Sequence, residues 1–211
     1  MLGKDRFLKK QINLLFCSTL FFIILCCKNT IADEVDLKIS NYIKSLNLFS
    51  SKFIQSNGVS IEEGYIYIKD AKIRLDYFYP DRTLIISKKK GVYINHELKE
   101  ENFFSTEKNI VRIFYDIFLN YSFFSSSLFT ENNGSVIFEK KITIDSTKTN
   151  LKIFFENKPL LLRKIIAQTE DEVISISFNE HNYSSVFDEG FFSFVPMYPE
   201  WQPPSKQAYL Y

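Results

Sequence analysis

The sequence predicts an α+β fold in which a long antiparallel sheet carries helices across one open face. Three observations lead there. The apolar residues recur first at helical spacing, then at alternating spacing, then at helical and alternating spacing again. The turns between alternating segments are too short for parallel crossovers. Finally, the order helix, sheet, helices, sheet is met most economically by laying the helices on one face of a continuous sheet.

The first element is read from Val35, Ile39, Tyr42, Ile43, Leu46, Phe49 and Phe53, which recur at steps of three and four. That spacing predicts an amphipathic helix needing a surface to lie on. After Asn57-Gly58 the period drops to two: Tyr65-Ile66-Tyr67-Ile68, then Ile73, Leu75, Tyr77 and Tyr79 alternating with Arg74 and Asp76, then Leu84-Ile85-Ile86 and Val92-Tyr93-Ile94. Glu63-Gly64, Asp70-Ala71-Lys72, Pro80-Asp81 and Lys90-Gly91 punctuate these strands into hairpins. The basic run Lys88-Lys89-Lys90 falls at one such turn and is read as solvated.

The helical period returns over 106–120, where Ile110, Val111, Ile113, Phe114, Ile117 and Phe118 form a wide apolar stripe, and a further helical turn is expected at 125–129. Strands resume at 136–138, 142–144, 151–155, 160–167 and 173–178. The tail from Pro196, with Pro199, Pro203 and Pro204, cannot be a central strand.

Ahead of this lies a segment of export character. Lys4, Arg6, Lys9 and Lys10 precede an apolar run over 12–27, and Thr30 and Ala32 supply small residues for cleavage before Asp33. The run is shorter than the roughly 20 residues that a membrane span prefers. The expected organisation is a signal peptide over 1–32, one domain over 33–195 and a proline-rich tail over 196–211. All three cysteines, Cys17, Cys26 and Cys27, fall in the first segment, so the mature chain has no disulfide and is held by its core. Removing the five basic and one acidic residue of that segment leaves 21 Lys and Arg against 24 Asp and Glu, a net charge of −3 that argues against nucleic acid.

The chain offers little to catalysis. His96 and His181 are the only histidines, each read in a polar turn without Cys, His or paired carboxylates at ligand spacing. Glu62 and Glu63 are adjacent, so on a strand they point to opposite sides. No nucleophile elbow or phosphate-cradling glycine loop is present, and neither enzyme activity, metal nor cofactor is expected. What the chain does have is aromatic side chains, 31 of them from Asp33 onward, with stretches such as Tyr65 to Ile68 apolar on both faces. A sheet with one wet face would not be written that way.

The stretch from Phe53 to Ile86, with Phe53, Gln55, Gly64, Arg74, Tyr77 and Pro80 in order, resembles the signature of the periplasmic outer-membrane lipoprotein carrier family (LolA-like). Phe187 and Phe191-Phe192-Ser193-Phe194 before Pro196 resemble that family's Phe-x-Phe ending. The resemblance implies an open antiparallel half-barrel of about 10–11 strands, with an N-terminal helix and a helical lid over the concave face. It implies a monomeric carrier that receives acylated lipoproteins from an inner-membrane release transporter and delivers them to an outer-membrane acceptor. Phe53, Tyr65, Tyr67, Leu75, Tyr77, Ile86, Phe114, Phe118, Ile153 and Phe155 are expected to line its lipid cavity. Two departures stand out: Asp70-Ala71 lies where the family carries the Arg-Pro linked to lid latching, and Lys88-Lys89-Lys90-Gly91 replaces an Asp-Gly-Lys turn. The alternative reading is a membrane-anchored half-barrel that senses or scaffolds a protein partner or lipid in the cell envelope.

Overall fold

Eleven strands, each paired antiparallel to its neighbours, form a single open sheet in the computed structural model, which describes residues 35, 37–107, 111–125, 128–144 and 146–198. The chain divides into two compact units, Met1–Lys38 and Ile39–Tyr211. Of the first, residues 35, 37 and 38 are described, and all are helical. The second begins with helix α1 (residues 39–45), followed by strands β1 (Phe49–Ser56), β2 (Ile61–Lys69), β3 (Lys72–Tyr77), β4 (Arg82–Ile86), β5 (Lys90–Asn95) and β6 (Glu100–Ser105). After α2 (Arg112–Leu119) come β7 (Leu128–Asn132), β8 (Ser135–Ile144), β9 (Thr147–Asn157), β10 (Leu160–Gln168) and β11 (Val173–Asn182).

The spatial order β6-β5-β4-β3-β2-β1-β11-β10-β9-β8-β7 makes each half a meander, joined where β11 returns to pair with β1. β6 and β7 are the two edges, so the sheet does not close. Both helices lie on one face. Tyr42 of α1 meets Phe155 of β9 with ring centroids 6.0 Å apart, and Phe118 of α2 meets Phe178 of β11 at 5.8 Å.

The turns explain much of the register. Asp70 and Ala71 both have positive φ, 49° and 56°, the geometry of a two-residue type I′ hairpin whose twist matches that of the strands it joins. Asn133-Gly134 repeats it at φ 48° and 79° between β7 and β8.

Four expected elements are corrected. Glu63-Gly64, expected as a turn, lies inside β2, and 136–138 and 142–144, expected as two strands, are the single strand β8. The helix anticipated through Phe53 ends at residue 45, and Phe49 and Phe53 belong to β1. Residues four apart also share a face of a strand, and Ser50, Ser51 and Ser56 are poor helix formers, so the spacing alone was ambiguous there. The helical turn expected at 125–129 is instead turn residues to 125 and then β7, pinned to β8 by the Asn133-Gly134 hairpin. The second helix is shorter than expected, and residues 108–110 of the anticipated span lie outside the described residues. The expected signal peptide over 1–32 lies outside them too, as does the tail from residue 199. No helix among the described residues is long and apolar enough to cross a membrane.

Candidate binding face

Directly opposed residues share a face, so the register sets an apolar row beneath the helices in each half of the sheet, the two rows being out of step at β1, where Ile176 faces Gln55 and Ile66 faces Ser51. In the second half it runs Phe129, Phe138, Ile153, Ile165 and Ile176. In the first half it runs through Ile66, Leu75 and Leu84, with Ile68, Ile73 and Ile86 one step along. Onto this face α1 sets Ile39, Tyr42 and Ile43, the turn after it sets Leu46, and α2 sets Ile113, Ile117 and Phe118, all buried. The turn after α2 adds Phe124, whose ring lies 4.8 Å from Phe138 and 5.9 Å from Phe155.

The anchoring of the two helices differs. Tyr42 accepts a hydrogen bond from the Leu162 amide at 3.0 Å, and its own burial raises its pKa. The Leu162 carbonyl lies 2.9 Å from His181 Nε2, while His181 Nδ1 lies 2.9 Å from the Ser51 hydroxyl. Both flanks of this cluster are bulged, β1 at Ser50/Lys52 and β10 at Leu162/Lys164. α1 is therefore tied to the sheet by a buried polar relay at the junction of its two halves. His181, expected in a surface turn, is instead a half-buried member of β11, and burial holds its pKa below the usual range. α2 has no side-chain N-cap bond, no acidic residue in its first turn and no basic residue in its last. Its one ion pair among the described residues, Arg112 to Asp116 at 3.3 Å, is internal to the helix. Eight residues without caps do not hold a helix in water, so packing of its apolar side maintains it.

One end of the helix-covered face is polar. Arg82 lies over the Tyr77 ring at 4.3 Å and pairs with Glu62, while Tyr77 donates a hydrogen bond to Gln55 Oε1 at 3.4 Å. Burial pushes the Tyr77 hydroxyl up to about 12. Glu63, on the other side of β2, pairs with Lys52 at 3.0 Å, as strand alternation requires.

Of the ten residues expected around a cavity, Phe53, Leu75, Tyr77, Ile86, Ile153 and Phe155 lie on the helix-covered face and Phe114 and Phe118 on α2. Tyr65 and Tyr67 do not: they alternate with Ile66 and Ile68 and point to the opposite face. There Tyr67 meets the rings of Phe187 at 5.9 Å and Phe191 at 5.0 Å. The segment 187–198 crosses that face as a strap. Arg74 donates to the Phe191 carbonyl at 2.7 Å with its guanidinium 4.2 Å from the Phe191 ring, and Phe194 and Tyr198 pack on Ile85, Val92 and Ile94. Both faces are covered, which is why Tyr65 to Ile68 is apolar throughout. His96, at the strap's far end, contacts Thr83 at 3.0 Å and Tyr198 at 3.1 Å and is likewise not a free surface group.

The residues that carry the family resemblance gather into two groups. Phe53, Gln55, Gly64 and Tyr77 meet on the helix-covered face, and Arg74 joins Phe191 on the other.

No family model matches the chain, and no curated protein does. Among solved structures, an uncharacterized conserved protein from Thermus thermophilus is similar over 78% of this chain and 94% of its own, at 7% identity and a TM-score of 0.51. LprF from Mycobacterium bovis is similar over 75% of this chain and 95% of its own, at 9% identity and a TM-score of 0.41. MucB, solved in complex with MucA(peri), is similar over 77% of this chain and 59% of its own, at 12% identity and a TM-score of 0.41. The likeness to the Thermus protein shows a shared fold.

Proposed function

We propose that this protein is a periplasmic carrier that holds the acyl chains of lipoproteins between the sheet and its helices and shuttles them from the inner to the outer membrane. The observation that carries the proposal is the unequal hold on the two helices. A broad apolar face is covered in part by α2, a short uncapped helix with no ion pair to the sheet among the described residues. When α2 moves away, that face becomes available to flexible chains, each buried methylene contributing about 0.8 kcal/mol. In the closed form Phe118 and Phe124 occupy the place the chains would take. The clustering of Phe53, Gln55, Gly64 and Tyr77 adds support from the family resemblance. On this reading the site performs binding, not chemistry, and the partners are an inner-membrane release machine and an outer-membrane acceptor.

The test is capture. The mature protein is incubated with membranes loaded with a triacylated lipoprotein and its release machine, and the soluble fraction is analysed by native mass spectrometry. A soluble one-to-one complex is expected, and mass spectrometry of protein purified gently from its envelope should find the same acyl species. Lipoprotein that stays in the membrane at every carrier concentration overturns the reading.

A further inference from the structure

The space between α1, the β2–β3 turn and the C-terminal end of α2 is a recess of about 400 Å³, within the range of small-ligand sites. Its floor is apolar and buried: Ile43, Leu46, Ile68 and Phe118 are each 2% exposed or less. Its rim is not. Lys44 projects from α1 and lies 5.7 Å from the Tyr121 ring, while Asp70 stands on the β2–β3 turn. Both are exposed, and neither forms an ion pair among the described residues. The turn bearing Asp70 is locked by two consecutive positive φ values and by a bond from the Asp70 amide to Asn47 Oδ1 at 3.3 Å. One cation and one anion thus stand at the mouth of an apolar space.

We infer that this recess is a head-group site for a single-chain zwitterionic amphiphile, with an anionic phosphate at Lys44, an ammonium at Asp70, and the acyl chain running inward past Phe118. The assignment rests on the carrier reading and goes beyond it in naming the head-group chemistry. A purely anionic head would meet Lys44 favourably but Asp70 unfavourably, and a purely cationic head the reverse. A zwitterion satisfies both walls. Tyr121 closes the rim: its ring faces Lys44 and its carbonyl accepts from the Ser40 hydroxyl at 3.5 Å, so the end of α2 is tethered to α1 at the point where a chain would enter.

The experiment is displacement of a fluorescent fatty-acyl probe from the mature protein by palmitoyl lysophosphatidylethanolamine, palmitate or hexadecylamine, each below its micelle concentration and at low ionic strength. The zwitterion should bind tightest, by about three- to fivefold, the scale of exposed charge pairs. Lys44→Gln should weaken the zwitterion and palmitate and tighten the amine. Asp70→Asn, which keeps the turn geometry, should weaken the zwitterion and the amine and tighten palmitate. Equal displacement by all three, unmoved by either substitution, overturns the head-group site while leaving acyl-chain carriage intact. Failure of all three to displace the probe from a protein that still captures lipoprotein overturns it as well.

Discussion

Phe53 and Tyr77 sit on strands that are not neighbours, yet their rings meet edge to face at 5.1 Å across Gly64 of the strand between them. The contact exists because Gly64 has no side chain. A Cβ there would fall 2.1 Å from the Asp76 carbonyl oxygen and 2.9 Å from Phe53 Cε1. Gly91 plays a comparable part under Phe104, but there the obstruction is a ring near the sheet edge, with the nearest atom at 2.3 Å.

Gly64→Ala is therefore expected to destabilise the protein by about 1–3 kcal/mol, the cost of overpacking against parts that cannot move. Gly91→Ala should cost less, because the Phe104 ring can swing aside. Urea denaturation of both variants checks the order, and a Gly64→Ala midpoint equal to that of the parent would mean that β2 and β3 separate freely.

His181 makes stability depend on pH. Its folded pKa is lowered chiefly by burial, opposed by the Leu162 carbonyl, and also lowered by Arg163. The unfolded chain then takes up a proton near pH ~6.5 that the folded ring resists, so stability is highest above that pH and falls as the pH drops toward the lowered folded value. Because the Leu162 carbonyl can only accept, Nε2 carries the proton of the neutral ring, and Nδ1 lies 2.9 Å from a Ser51 hydroxyl that also lies 2.6 Å from the Asn179 carbonyl. His181→Gln should flatten this slope in thermal melts recorded across mildly acidic pH. A slope that survives the substitution belongs to other groups.

The helix α2 should exchange its amide hydrogens faster than β3, because few anchors hold it and opening it exposes no sheet hydrogen bond. A bound acyl chain should shift protection in α2 and leave β3 unchanged. Equal protection in the two elements, with and without lipid, would exclude a movable lid.

Phe114 and Phe118 provide a graded test of the same helix. Phe118 is 1% exposed, whereas Phe114 is half-buried and stacks on it with centroids 6.5 Å apart. Phe118→Ala should cost about 3–5 kcal/mol of stability. Phe114→Asp should leave the fold intact and sharply reduce acyl uptake, because it sets an unpaired carboxylate beside the chains. A folded Phe114→Asp protein that takes up lipoprotein as well as the parent removes α2 from the binding site.

Asp70 stands where the resemblance implies a latch arginine, and α2 and the turn after it pack on the sheet through ring contacts and the bond from Lys140 Nζ to the Phe123 carbonyl at 2.6 Å. Salt screens paired charges and not apolar contacts. Release of a fluorescent acyl probe should therefore hardly change between about 0.05 and 0.5 M sodium chloride, a range over which the Debye length falls severalfold. Severalfold faster release in high salt would reveal an ionic latch.

Local chemistry accounted for most of the elements. Alternation over 65–94 and 136–178 marked strands, Asp70-Ala71 and Pro80-Asp81 marked hairpins, and the stripe through Ile113, Ile117 and Phe118 marked a helix, because each signal is complete within a few residues. It misled where two periods agree. Phe49 and Phe53 satisfy helix and strand alike, and the Asn133-Gly134 hairpin that makes Leu128–Asn132 a strand is satisfied only by pairing with β8.

Which face a residue takes was a different matter. In Tyr65-Ile66-Tyr67-Ile68 every position is apolar, so alternation carries no information about direction. The pairing of Gly64 with Phe53 and Tyr77 turns Ile66 and Ile68 toward the helices, and Phe187 and Phe191, more than a hundred residues along the chain, cover Tyr67 on the other side. The same holds for His181, a polar residue in a polar stretch until the bulges of β1 and β10 bring Ser51 and the Leu162 carbonyl to its two nitrogens. Secondary structure and turns are properties of neighbouring residues. Faces, relays and the strap depend on contacts between distant ones, which come into being only when the sheet is assembled.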